Sequence, residues 1–157
     1  MKLDEFARLA LAEARRGAGL KHGGPFGAAV IKDGRLIAKA HNTVLRDGDP
    51  TCHAEMNAIR LAARRLKAPH LSGCRLVTTS EPCPMCLAAI YWAGIRTVYY
   101  CLSRKTAAAF GFSDSRIYGE IKKSARRRSV RAVRLPDLAA EAAEIFRGWK
   151  RRGGRLY

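Results

Sequence analysis

Acidic residues are scarce in this chain: 13 Asp and Glu stand against 30 Lys and Arg over 157 residues, a formal net charge of +17. Long apolar runs are missing too. None approaches the roughly 20 residues that a membrane-spanning helix needs, so no membrane partner is expected. The opening Met1-Lys2-Leu3-Asp4-Glu5-Phe6 carries acids early and no long hydrophobic stretch, so no secretory leader is expected either. Cysteine is sparse: there are five, without regular spacing. That excludes a disulfide framework and points to a reducing cytoplasm. No repeat, low-complexity tract or linker interrupts the sequence. One domain over residues 1–157, with a sizeable core, is therefore expected.

What is present is concentrated in two short stretches, Thr51-Cys52-His53-Ala54-Glu55 and Glu81-Pro82-Cys83-Pro84-Met85-Cys86. Cys83 and Cys86 are spaced i, i+3, flanked by prolines and followed by the helical run Leu87-Ala88-Ala89-Ile90-Tyr91-Trp92. Proline is tolerated in the first turn of a helix, so both cysteines belong at a helix N-terminus, on one face. There the positive end of the helix dipole favours thiolates, the form that binds metal. Thr51 is expected to cap a second helix whose first turn carries His53 and Glu55. Alone, the C-x-x-C leaves a core or redox pair open, and a lone histidine is more often a satisfied side chain. Together, His53, Cys83 and Cys86 make three protein ligands and leave one open position, the mark of catalytic zinc. Iron or cobalt suits the same donors. Glu55, beside the ion and not needed as a ligand, is placed to carry protons.

The periodicities predict helices over 3–16, 51–65, 84–93, 113–122 and 136–149, with Gly17 and Gly19 stopping the first. They predict strands over 26–31, 36–40, 75–79, 97–101 and 130–133, the first two joined by an Asp33-Gly34 hairpin turn. A hairpin followed by helix–strand alternation indicates an α/β fold, a mixed sheet with helices on both faces.

The H-x-E … P-C-x-x-C arrangement is the signature of zinc deaminases acting on bases, and the chain resembles the cytidine deaminase-like superfamily. Within it, Gly23-Gly24-Pro25-Phe26-Gly27-Ala28, Asn42, Asp49-Pro50-Thr51, Ala89-Ile90-Tyr91-Trp92-Ala93, Phe112-Ser113-Asp114-Ser115 with Ile117-Tyr118, and Tyr157 look like the bacterial guanine deaminase group. The resemblance implies a three-layer α/β/α sandwich around a mixed five-stranded sheet. It implies one Zn2+ per subunit, hydrolysis of guanine to xanthine and ammonia, and a homodimer that exchanges its C-terminal segments, here residues 136–157. In such a dimer the tail carrying Tyr157 closes the partner's pocket. Asn42 reads as a turn residue from its spacing and, by the resemblance, as a contact to the ring edge. Phe26 and Trp92 suit either core packing or a sandwich around a purine. Asp114 suits either an N-cap or an acceptor for the N1–H and 2-amino groups of guanine.

The basic excess supports a rival reading. Lys122-Lys123, Arg126-Arg127-Arg128, Arg131, Arg134, Arg147, Lys150-Arg151-Arg152 and Arg155 make the late chain an electrostatic footprint for nucleic acid, or simply a solvated surface. A transfer-RNA adenosine deaminase, a deaminase of guanosine, cytosine or a triazine amine, and an inactive nucleic-acid-binding relative remain alternatives. The retained proton carrier and ligands disfavour the inactive relative, and a terminal tyrosine folded over the site disfavours a polynucleotide substrate.

Overall fold

The computed structural model describes residues 2–156. Helix α1 (Leu3–Gly19) buries Phe6, Ala10 and Ala14 at four-residue spacing. It does not stop at Gly17. A Cβ there would come within 2.6 Å of the His41 ring, so this glycine serves close packing and not termination. Strands β1 (Gly27–Lys32) and β2 (Arg35–His41) form the expected hairpin. Asp33 and Gly34 both take positive φ, 49° and 69°, the turn that matches strand twist.

Strand β3 (Cys74–Ser80) pairs antiparallel with β1, and β4 (Thr97–Leu102) runs parallel to β3. The parallel step is spanned by helix α4 (Pro84–Trp92), a βαβ crossover. The sheet order is β2-β1-β3-β4. Its alternation sorts the layers. Ala28, Val30, Ala38, Leu76 and Val98 face helix α3 (Ala54–Leu66) and α4, against Ala54, Ala58, Ala62 and Ile90. Ile31, Val77 and Tyr99 face the opposite side, against Phe6 and Leu9 of α1. The mixed sheet therefore carries helices on both faces, as the sequence predicts.

The sheet has four strands, not five. Residues 131–135 adopt no regular structure. Val130 and Val133, the only strong strand formers there, are spaced by three and not two, and both are exposed. Two short helices escape the periodicity, α2 (Val44–Asp47) and α5 (Arg104–Ala109), each too brief to show a repeat.

Contacts divide the chain into a larger unit ending at Arg116 and a smaller one beginning at Ile117. Helix α6 (Ser115–Lys122) opens the smaller unit. Two 3-10 turns (Ala125–Arg127, Pro136–Leu138) and helix α7 (Ala139–Arg151) complete it. Among the described residues of 117–156 only Gly148 is buried.

Gly27 sets how closely α1 approaches the sheet: a Cβ would lie 2.0 Å from the Ala10 carbonyl oxygen and 2.7 Å from the Ala14 nitrogen. Gly27→Ala is expected to lower unfolding stability by about 3 kcal/mol in urea titration, because backbone cannot move aside as a side chain can. Gly119→Ala, where nothing lies within 4 Å, should leave stability unchanged or slightly higher.

Candidate active site

The turn before α3 builds half of the site. Asp49 Oδ1 accepts the Thr51 N–H at 2.7 Å, and the Cys52 N–H donates to the Asp49 carbonyl at 3.1 Å. These bonds hold Thr51 and Cys52 in a turn, so the helix begins later than the sequence suggests. His53, not Thr51, is the N-cap, with extended backbone (φ −67°, ψ 157°). Ala54 and Glu55 then enter the helix, and the change of backbone direction lets an i, i+2 pair serve one site. The other half is the start of α4. Cys83 is its N-cap, Pro84 occupies the first turn, and the Cys86 N–H donates to Cys83 Sγ at 3.5 Å.

The two halves meet. His53 Nδ1 lies 3.6 Å from Cys83 Sγ and 3.6 Å from Cys86 Sγ. Zn–S and Zn–N bonds of about 2.3 and 2.05 Å at tetrahedral angles put sulfur and nitrogen about 3.6 Å apart, so the donor set fits a zinc ion. Ligand atoms of His53, Cys83 and Cys86 all lie within 4.8 Å of one another, and no fourth protein donor joins them among the described residues. Glu55, 5% exposed, stands beside them: Cys86 Sγ is 3.6 Å from its Oε2, and the Thr78 hydroxyl donates to its Oε1 at 3.1 Å.

Electrostatics follow from crowding. Hydrogen bonding from the Cys86 side chain, helped by His53, pulls the Cys83 thiol down to about 4. That same bond and burial push the Cys86 thiol up. The contact with Cys83 raises the His53 pKa, and burial raises that of Glu55. Cys83 is thus ready as a thiolate, and a divalent cation supplies the charge needed to ionise Cys86.

Of the expected pocket residues, some gather here and some do not. Asn42 is buried; its Oδ1 accepts the Val44 N–H at 3.1 Å and its main-chain N–H donates to the Phe26 carbonyl at 3.0 Å. Phe26 is half-buried, edge-to-face with Phe112 at a centroid distance of 4.9 Å. Asp114 lies 3.6 Å from Arg104, which also reaches Glu81. Burial raises the Asp114 pKa, Arg104 opposes this, and Cys83 and Glu81 add to the rise. Trp92 does not join them: it is 70% exposed, nine residues beyond Cys83. That is roughly 13 Å along the helix at 1.5 Å per residue. Tyr157 lies outside the described residues.

Three participants carry no signal of their own in the sequence. Thr78 reads only as part of a strand, although a hydroxyl on a core-facing position demands a partner. Arg104 and Glu81 carry no motif that links them; only the adjacency of α5 to the end of β3 does.

A mixed sheet between helix layers, with two thiol sulfurs, one imidazole nitrogen and a buried carboxylate at two helix N-termini, defines a cytidine deaminase-like protein. The profile of the cytidine and deoxycytidylate deaminase zinc-binding region matches residues 1–102. Guanine deaminase of Bacillus subtilis (strain 168) is 43% identical over 150 residues, 96% of this chain and 95% of that protein. A crystal structure of B. subtilis guanine deaminase superimposes with a TM-score of 0.92 at 41% identity, covering 100% of this chain and 99% of that one. A tRNA-specific adenosine deaminase of Aquifex aeolicus is 46% identical over 100 residues, 64% of this chain and 66% of that protein. The chain belongs to the cytidine and deoxycytidylate deaminase zinc-binding family.

Cys83→Ser, which replaces a soft thiolate by a hard hydroxyl, should fold but lower zinc affinity by at least about 100-fold. Competition with a chromophoric chelator measures it, and unchanged zinc content would contradict the ligand assignment.

Proposed function

We propose that this protein hydrolyses free guanine to xanthine and ammonia. The supporting observation is the extent of similarity: the likeness to a guanine deaminase runs along 96% of the chain, whereas the likeness to the A. aeolicus transfer-RNA deaminase covers only 64%. His53, Cys83 and Cys86 would hold the zinc ion, which when bound would lower the pKa of water and ready it for attack. Water oxygen bonds to C2, the C2–amino bond breaks, and a carbonyl remains. Glu55 accepts the water proton, returns a proton to the ring nitrogen and later protonates the departing amine. Thr78, donating to one Glu55 oxygen, leaves the other for this work.

In the same reading, Asn42 bonds the ring edge, Phe26 offers a face to the purine, and Asp114 accepts from N1–H and the 2-amino group. Tyr157 closes the pocket of a partner subunit in a homodimer that exchanges residues 136–157. The smaller unit supports the exchange, because a segment whose described residues bury no side chain larger than glycine cannot offset its own ordering entropy. It exposes Ile145 and Phe146, and the larger unit exposes Tyr91 and Trp92. A dimer is therefore expected in sedimentation, and deleting Tyr157 should lower turnover with zinc and fold intact; a monomer with normal kinetics after the deletion would refute the exchange. Five free thiols suit a reducing cytoplasm, and recovery of the native protein from an extracytoplasmic fraction would contradict it.

A second reading, editing of adenosine in transfer RNA, is favoured by one observation, the charge of +17. Ammonia release from guanine, cytosine, guanosine and an adenosine-bearing stem-loop at two salt concentrations separates the two. Guanine turnover with little salt response is expected, with weak, salt-sensitive RNA binding by the basic tail. RNA-only turnover that collapses with salt would overturn the guanine reading. Glu55→Ala should retain zinc and lose about 1000-fold or more in kcat.

A further inference from the structure

Outside the metal-ligand cluster, the larger unit gathers a second group of titratable side chains: Glu13 and His41, both buried, and the half-buried His22. Glu13 on α1 and His41 at the end of β2 are 5% and 8% exposed. His41 Nδ1 is 2.9 Å from Glu13 Oε2, and its Nε2 is 3.0 Å from His22 Nδ1. Lys39 Nζ stands 3.1 Å from the other Glu13 oxygen, and Arg16 also reaches it at 3.8 Å. Burial works to raise the Glu13 pKa, but the bonds from His41 and Lys39 win and hold it below the usual carboxylate range. Glu13 is therefore an anion that can only accept. His41 therefore donates through Nδ1; its Nε2 then accepts from His22 Nδ1 when the His41 ring is neutral and donates to it when the ring is protonated. One buried carboxylate thus orients two rings in series.

The far end of the series bears on Asn42. A helix leaves its first N–H groups without internal partners. In α2 the Val44 N–H is taken by Asn42 Oδ1 at 3.1 Å. The Leu45 and Arg46 N–H groups are taken by the His22 carbonyl at 2.9 and 3.0 Å. Gly23, next in the chain, presses on the same amide: a Cβ there would sit 2.0 Å from Asn42 Oδ1. His41 itself precedes Asn42, and its carbonyl accepts from Asn57 of α3 at 3.1 Å. The Asn42 side chain is clamped between α2 and the His22–Gly23 backbone, and the His22 ring ties that backbone to the core.

We propose that Glu13–His41–His22 is a positioning relay that sets the Asn42 amide for purine recognition. This rests on the reading of Asn42 as a ring-edge contact. None of the three residues touches the base; they act through the His22 main chain.

The test is a double-variant cycle on the zinc-loaded full chain, with guanine as substrate. His22→Ala should raise KM about tenfold with kcat within about twofold, the signature of lost binding that is uniform along the reaction. His22→Asn, whose amide places an N–H near the position of Nδ1, should recover most of the loss. His22→Ala combined with Asn42→Ala should raise KM no further than Asn42→Ala alone. In substrate-free enzyme the Asn42 side-chain amide resonances should shift in His22→Ala and return in His22→Asn. If Asn42→Ala raises KM and His22→Ala does not, or if the two effects add, the relay is overturned while the reading of Asn42 stands. If Asn42→Ala leaves KM unchanged, the reading of Asn42 falls and the relay falls with it. Should His22→Ala fail to fold, Glu13→Gln takes its place. Glu13→Gln can still accept from His41 but brings no charge, so it should give a smaller KM rise in the same direction; no KM rise in Glu13→Gln then overturns the proposal.

Discussion

Two helix N-termini meeting at one point govern this molecule. The starts of α3 and α4 carry His53, Glu55, Cys83 and Cys86, and each brings the positive end of a helix dipole to the same place. That convergence favours a Cys83 thiolate and suits a cation held by sulfur and nitrogen. It requires α3 and α4 to lie side by side on one face of the sheet. The packing of Ala54, Ala58 and Ala62 against Ala28, Val30 and Ala38 makes this possible, because small side chains let a helix axis approach the strands closely.

The same economy of volume recurs on the opposite face. Gly27 admits the backbone of α1, and Gly17 admits the His41 ring. The sheet is therefore gripped from both sides with little slack, and β3 carries Thr78 to Glu55 across that rigid support. Rigidity matters to hydrolytic chemistry because a proton carrier displaced by an ångström loses its transfer geometry. On the same frame, the segments carrying Asn42 and Phe26 are joined by a main-chain hydrogen bond.

The smaller unit obeys a different logic. Its helices pair charge with charge along one surface, as Glu144 does with Arg147 and Arg151, yet bury no apolar side chain among the described residues. Surface pairs of this kind add little stability. The run 121–136 holds seven Lys and Arg and no acid, so its self-repulsion favours extension, in agreement with the irregular backbone of 131–135.

Much of this was legible in the residues. The i, i+3 cysteines with flanking prolines specify a helix start, and Asp33-Gly34 specifies a hairpin, because each depends on local backbone chemistry alone. The near-continuous burial of β1 and β3 reflects a sheet covered on both faces. Local rules failed where a distant partner decides. Thr51 looks like a helix cap but is drawn into a turn by Asp49, and 130–133 looks like a strand but has no neighbour to pair with. Gly17 looks like a stop but makes room for His41. Sequence by itself determined the donor set and the order of the four strands and of α1, α3 and α4 among them, since those are properties of residue type and short spacing. Tertiary structure alone decided the nitrogen-to-sulfur distance, the Thr78 hydrogen bond to Glu55 and the burial of Glu13 beside two histidines. Each of these joins residues at least 19 positions apart, and no local pattern encodes such a closure.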